Sequence, residues 1–96
     1  MRRYHFHLKD GYLSLDSKGS ELADLAAVRR EALSLSSEVL RDASRADRNG
    51  VSIWNGHPWC LWVTDQPDGR GETFVSMQFS ALEGLGKPHV TGLPNA

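Results

Sequence analysis

The chain lacks most features of a secreted protein, of a membrane protein and of a protein stabilised by a structural metal ion. Cys60 is the only cysteine among 96 residues, so no internal disulfide and no zinc site made of cysteines alone can form. No stretch approaches the roughly 18 apolar residues of a membrane span. Met1, Arg2 and Arg3 lead into an alternating pattern rather than the apolar core of a signal peptide. We expect a soluble, cytoplasmic protein.

An excess of charge of either sign is also missing. The formal net charge is −1, with 24% charged and 40% hydrophobic residues, which fits one globular domain with one core. A protein that holds duplex nucleic acid is usually clearly basic, so the balance weakens that function without excluding a local patch. The candidate patch consists of arginines interleaved with acidic side chains, as on an ordinary solvated helix face: Arg29, Arg30, Arg41, Arg45 and Arg48.

The first clear pattern is a hairpin. Apolar Tyr4, Phe6 and Leu8 alternate with polar residues, the period of a half-buried strand, and Asp10-Gly11 favours a two-residue turn. Such a turn predicts a register with these facing pairs: Lys9 and Tyr12, Leu8 and Leu13, Phe6 and Leu15, His7 and Ser14, His5 and Asp16. Leu13 and Leu15 would then join the apolar face.

A long amphipathic helix follows the turn at 16–19. Asp24 has the character of an N-cap, and Asn49-Gly50 marks the predicted end. Between them, apolar side chains recur at steps of three and four and define the face expected to pack on the sheet: Leu25, Val28, Ala32, Leu35 and Val39.

The second half predicts two more strands. Trp59–Asp65 and Thr73–Ser80 alternate in character and are separated by a turn-rich loop at 66–72, while 51–54 is a candidate short strand. We therefore expect one α+β domain over 1–83 and a loose tail over 84–96. The predicted fold has two layers, a small antiparallel sheet in ββαββ order with one long amphipathic helix packed on one face.

Four segments resemble a family of small bacterial proteins of unknown function. They are "RYHFHLKDG" at 3–11, Asp16 with Gly19, "ELADLAAVRREAL" at 21–33, and "WVTDQPDGRGETFVSMQFSALE" at 62–83. The opening strand–turn motif, of the form RYxFHxxDG, is the most specific of them. The resemblance implies the ββαββ order and a bacterial, cytoplasmic setting, and it supplies no activity and no catalytic residue. The chain departs from the family pattern at 51–61 and in the tail.

The histidine pair raises the question of metal or catalytic chemistry. His5 and His7 lie on one side of a strand, and a metal would require further ligands to converge on them. The candidates are Asp16, His57, Cys60 and His89. No spacing forces that convergence, and Cys60 has no fixed histidine base, so we expect no metal, no cofactor and no catalytic residue.

The remaining candidate is the sheet face opposite the helix. Alternation places on it the binding residues that we predict, with Cys60 beside them: His5, His7, Tyr12, Trp62 and Phe74. Large exposed aromatics favour a protein partner or a homo-oligomer. The alternative is an antitoxin-like regulator that contacts nucleic acid through the helix arginines or this face. Trp59 or the tail could instead cover the face, and a bulge near 66–72 would turn Phe74 inward.

Overall fold

The structure is a computed structural model, and it describes residues 1–43, 53–54 and 56–82. Within these ranges the elements are β1 (Arg2–Lys9), β2 (Leu13–Ser14), β3 (Ser20–Leu22), α1 (Leu25–Ala43), β4 (Trp59–Thr64) and β5 (Thr73–Phe79). One antiparallel five-stranded sheet carries the helix, so the α+β prediction is confirmed. The predicted ββαββ order matches apart from β3, a short strand that the turn-like sequence did not indicate.

Strand β1 is the centre of the sheet. β2 and β3 both pair with one of its edges, β4 pairs with the other, and β5 pairs with β4. In the part of the chain that the structure describes, β5 is therefore the last strand on its side. Among the described residues, no helix has the length and apolar character that crossing a membrane requires.

The core lies between the helix and one face of the sheet. Phe6 lies opposite Val63, and Leu8 lies opposite Leu61, so the apolar positions of β1 and β4 share this face. Its fully buried members are Tyr4, Val28, Ala32, Leu61 and Val63. Around them pack partly buried side chains: Phe6, Leu8, Leu22, Leu35, Phe74, Val75, Met77 and Phe79.

The predicted hairpin register is wrong by one residue. Leu8 lies opposite Ser14 and Lys9 opposite Leu13, so the loop has three residues, 10–12, rather than two. Gly11 at its centre has a φ of 100°, which glycine adopts without steric cost. The shift moves Leu13 to the side of Lys9, where it is 62% exposed, and it therefore takes no part in the core.

The helix begins as predicted. The Asp24 carboxylate accepts a hydrogen bond from the Ala27 N–H at 2.9 Å, which makes Asp24 the N-cap. Val28 and Ala32 are buried on the predicted face, whereas Leu25 is exposed because it lies in the first turn. Ser36 is also buried there, and its hydroxyl donates to the carbonyl of Ala32 at 2.7 Å.

Three expectations fall on residues that the structure does not describe. The predicted helix end at 49–50 and the tail at 84–96 lie outside the described ranges, so the domain boundary at 83 stays a prediction. The candidate strand at 51–54 is described only for its last two residues, which form a turn.

A bulge decides the position of Phe74. Val63 lies opposite Val75, but the next pair is Thr64 and Thr73, so Phe74 is an extra residue in β5. The extra residue breaks the alternation, and Phe74 packs edge-on against Tyr4, with ring centroids 5.2 Å apart. The prediction that Phe74 lies on the face opposite the helix is therefore wrong.

We expect Val28→Ala to lower the free energy of unfolding by about 2 kcal/mol, because Val28 is fully buried between helix and sheet. The matched control is Leu33→Ala, which removes a larger side chain that is 60% exposed on the same helix. Denaturant melts of both variants are the measurement. A larger loss from Leu33→Ala than from Val28→Ala would show that the helix packs through another face.

Candidate functional site

His5 and His7 lie side by side on the sheet face opposite the helix, as the alternation predicts. Their rings are nearly parallel, with an interplanar angle of 8° and centroids 6.3 Å apart. They are not exposed, however: His5 is 5% accessible and His7 is 0% accessible. Among the described residues two loops, 15–19 and 65–72, supply the cover. Trp59 lies on the same face of β4 as Leu61 and Val63, the helix side, and the tail lies outside the described residues.

The first loop is fixed by Asp16. Its carboxylate accepts hydrogen bonds from the N–H groups of Phe6 and Gly19, each at 3.0 Å. Its carbonyl oxygen lies 2.7 Å from Nδ1 of His5, and its N–H donates to Nδ1 of His7 at 3.2 Å. Phe6 is the middle one of the three β1 residues, 5–7, between the stretches paired with β3 and β2. The carboxylate therefore accepts from its N–H in place of a neighbouring strand.

Gly19 allows this loop to approach β1 closely. Its φ is +72°, and a Cβ at this position would lie 2.9 Å from the carbonyl oxygen of Tyr4 and from Cε1 of His5. Any larger residue would be strained there and would push the loop away from the His5 ring.

The second loop is fixed by Thr64 and Trp62. Nε2 of His7 lies 2.9 Å from Oγ1 of Thr64, and this hydroxyl donates to the Gln66 carbonyl at 2.8 Å. The indole N–H of Trp62 donates to the Gly69 carbonyl at 3.1 Å, while its ring lies 5.2 Å from the His7 ring. Thr64 and Trp62, the two β4 residues that contact His7, therefore also hold this loop.

The two loops meet above the histidines. A Cβ on Gly69 would lie 3.1 Å from Cδ2 of Leu15 and 3.3 Å from the Trp62 ring. We call the group formed by His5, His7, Asp16, Trp62 and Thr64 the histidine cluster. It joins both loops to the two central strands.

Hydrogen bonds assign the tautomer of His7. Nδ1 accepts from the Asp16 N–H, so the ring proton is on Nε2 and is donated to Thr64. Burial lowers the pKa of His7, and the nearby charge of His5 acts in the same direction, against the carbonyl of Gln66 and the carboxylate of Asp16. His7 is thus held neutral near pH 7.

The carboxylate of Asp16 is held charged. Burial acts to raise the pKa of Asp16, but the hydrogen bonds from the N–H groups of Phe6 and Gly19, together with the charge of His5, outweigh it and lower the pKa. The ionised form is the one that can accept both backbone donors.

The hydrogen bonds of the histidine cluster are made within the fold. Both ring nitrogens of His7 are engaged in hydrogen bonds, so neither presents a lone pair to a metal. Within the described ranges, no three His, Cys, Asp or Glu side chains are grouped so as to hold a metal ion. Cys60 is half-buried, and Nε2 of Gln78 lies 3.9 Å from its sulfur.

The five predicted binding residues do not form one exposed surface. His5 and His7 lie beneath the loops, Trp62 is half-buried beside Gly69, and Phe74 belongs to the core. Tyr12 is exposed in the β1–β2 loop. What remains accessible on this face near β5 is polar, namely Ser76 and Gln78.

The feature that sequence reasoning missed is the outer edge of β5. Within the described ranges β5 pairs only with β4, and Thr73–Phe79 contains no charged residue and no proline. The edge of β1, by contrast, is closed by β2, β3 and Asp16. An uncharged strand was readable in the sequence, but its place at the end of the sheet was not.

An apolar groove adjoins the end of this edge. It encloses about 570 Å³ and lies between the helix, the turn at 53–54 and the last residues of β5. Its apolar walls include Leu40, Ile53, Trp54 and Phe79, of which Leu40 and Trp54 are exposed. Edge and groove together form a continuous surface at one side of the molecule.

A family model matches most of the chain. This family model, described as "Domain of unknown function (DUF6894)", covers residues 3–79, which include the histidine cluster and all of β5. No curated protein and no solved structure matches the chain.

Acid should destabilise the protein through His7. The unfolded chain takes up a proton near pH 6.5, whereas the folded pKa is lower, so stability is complete above that pH and falls as pH decreases towards the folded pKa. The slope between the two values is at most about 1.4 kcal/mol per pH unit. Asp16, with its lowered pKa, extends the loss into more acidic solution as its carboxylate is protonated.

The measurement is the free energy of unfolding from pH 8 to pH 5 for wild type, His7→Gln and His57→Gln. We expect His7→Gln to flatten the slope and His57→Gln, which changes an exposed histidine outside the cluster, to retain it. Equal slopes in wild type and His7→Gln would assign the acid sensitivity to another group.

Asp16→Ala should cost about 2–3 kcal/mol of stability, because it leaves the N–H groups of Phe6 and Gly19 without their charged acceptor. Asp68→Ala is the control, since Asp68 is exposed and its carboxylate accepts from one backbone N–H, that of Arg70, among the described residues. Denaturant melts should show a much smaller change for Asp68→Ala, and equal effects would refute the role given to Asp16.

Proposed function

This chain belongs to the family described as "Domain of unknown function (DUF6894)", and we propose that it is a non-catalytic binding module that takes up an extended polypeptide segment on the outer edge of β5. The partner would add a strand to the sheet. The observation that carries the proposal is that β5 pairs on one side only within the described ranges.

The free edge presents backbone groups that need partners. Alternate residues of an edge strand direct their N–H and C=O groups away from the sheet, where water or another strand must satisfy them. Strand addition meets this need with main-chain hydrogen bonds and is a common mode of peptide recognition. The regular part of β5 that follows the bulge, 75–79, is the segment that a partner strand would pair with.

The side chains of β5 favour such pairing. Natural edge strands are commonly protected by charged residues, proline or bulges. β5 has neither charge nor proline, and its bulge lies at Phe74, near its beginning, which leaves 75–79 regular. The adjoining groove with Leu40 and Trp54 supplies apolar contacts beyond the backbone.

The state of the histidine cluster supports a role without catalysis. His7 has no solvent access, and both its nitrogens are used within the fold. The aromatic platform on which bases would stack is also reduced, since His7 is buried and Phe74 packs against the core on the helix side of the sheet. Near the described helix arginines lie exposed Glu38 and Asp42, which oppose phosphate binding.

The proposal is tested by selecting random linear peptides, long enough to span β5, on the immobilised protein, with the Ser76→Lys variant as counter-target. Ser76 is exposed in β5, so the substitution adds a charge at the edge without entering the core. We expect peptides that bind wild type and not Ser76→Lys, and that shift the backbone NMR signals of Thr73–Phe79.

Ser37→Lys is the matched control, because it places the same charge at an exposed position on the helix. It should bind the selected peptides as wild type does. Titration with single-stranded and duplex oligonucleotides tests the alternative. Salt-dependent shifts at Arg29, Arg30 and Arg41, with no peptide selected at β5, would replace the proposed function by nucleic-acid binding.

A further inference from the structure

We propose that the segment taken up by the β5 edge is β5 of a second copy of this chain, paired antiparallel about a two-fold axis at Met77. This inference rests on the proposed function and names its partner. The two sheets would join into one, with both helices on the same side.

The bulge selects this register. A two-fold antiparallel pair centred on Met77 places Met77 opposite Met77 of the second copy, Val75 opposite Phe79, and Ser76 opposite Gln78. It pairs the whole regular stretch from Val75 to Phe79 and stops before Phe74, where the alternation breaks. A centre at Ser76 would instead require the bulged residue to pair.

The chemistry of the facing residues is matched in this register. Val75, Met77 and Phe79 lie on the helix side and are only partly buried, so pairing would place them against one another. Ser76 and Gln78 are exposed on the other face and would meet as a polar pair. Directly opposite residues of antiparallel strands share a face, so neither layer is interrupted.

Charge does not oppose a second copy as the partner, although a two-fold pair of strands is the arrangement in which charge repulsion is most easily met. A two-fold axis brings each charged residue of an edge near its own equivalent, and like charges across strands are destabilising. Thr73–Phe79 carries no charge, so self-pairing meets no such repulsion. The groove beside Phe79 would also come to lie next to Val75 of the second copy, which adds apolar contact at both ends of the pair.

The first experiment is light scattering over a range of concentrations on the full chain. We expect wild type to approach twice the chain mass of 10.7 kDa as concentration rises. Ser76→Lys and Gln78→Lys, both at exposed β5 positions, should each raise the dissociation constant about tenfold or more, which corresponds to about 1.4 kcal/mol. Ser37→Lys should dimerise as wild type does, and circular dichroism confirms that each variant is folded.

The second experiment reads the register by disulfide formation in a Cys60→Ser background. Ser76→Cys and Gln78→Cys proteins are mixed in equal amounts and oxidised. Facing residues have Cα atoms about 4.5–5.5 Å apart, within disulfide range, whereas Ser76 and its own equivalent are diagonal, at about 7–8 Å. We expect the mixed disulfide to exceed either homodisulfide well beyond the statistical ratio.

The outcomes separate this inference from the proposed function. A wild type that stays monomeric while selected peptides bind at β5 overturns the second copy as partner and leaves strand addition standing. A dimer that neither lysine substitution weakens uses another surface and also overturns the inference. A dimer sensitive to both lysines but without the mixed disulfide overturns the register at Met77.

Discussion

The hydrogen bond from the Phe6 N–H to the Asp16 carboxylate completes the central strand of the sheet. β2 and β3 pair with different parts of β1 and leave Phe6 between them, so one ionised side chain takes the place of a strand partner. The same residue presents its carbonyl oxygen to His5 and its N–H to His7. The orientation of both rings, and hence the anchoring of the second loop through Thr64, follows from where this one residue is held.

This constraint gives the opening motif a structural meaning. An H-x-H pair on a strand has the form of a partial metal site. In this fold each ring instead packs between the sheet and a loop and is hydrogen-bonded to a neighbouring residue. Holding His7 as the neutral Nε2–H tautomer requires an acceptor at Nε2 and a donor at Nδ1, which Thr64 and the Asp16 N–H supply. The sheet is therefore asymmetric: one edge is closed from within by β2, β3 and Asp16, and the proposed association would use the other.

Local patterns predicted the helix and four of the five strands, all but β3, but they did not predict how these elements pair and pack. Asp24 and the spacing of Val28 and Ala32 predicted the helix start and its buried face, because capping and periodicity are properties of adjacent residues. Asp10-Gly11 did not distinguish a two-residue from a three-residue loop, and that single residue sent Leu13 outward. The burial of His7 depends on loops distant in sequence, and the bulge at Phe74 depends on how β5 pairs with β4. These are tertiary effects that alternation within one strand does not encode.

The bulge links the core to the proposed binding edge. By adding one residue to β5 it turns Phe74 towards Tyr4, and it thereby ends the regular edge at Val75. Five residues of paired strand bury less than the roughly 1,200–2,000 Å² of a standard interface, so backbone pairing alone would give weak and reversible association. Affinity would then depend on the apolar groove, where Trp54 and Phe79 are side chains of the size that dominates binding energy. The β5 edge would set the direction and register of a partner strand, and the apolar groove would set the dissociation rate of the complex.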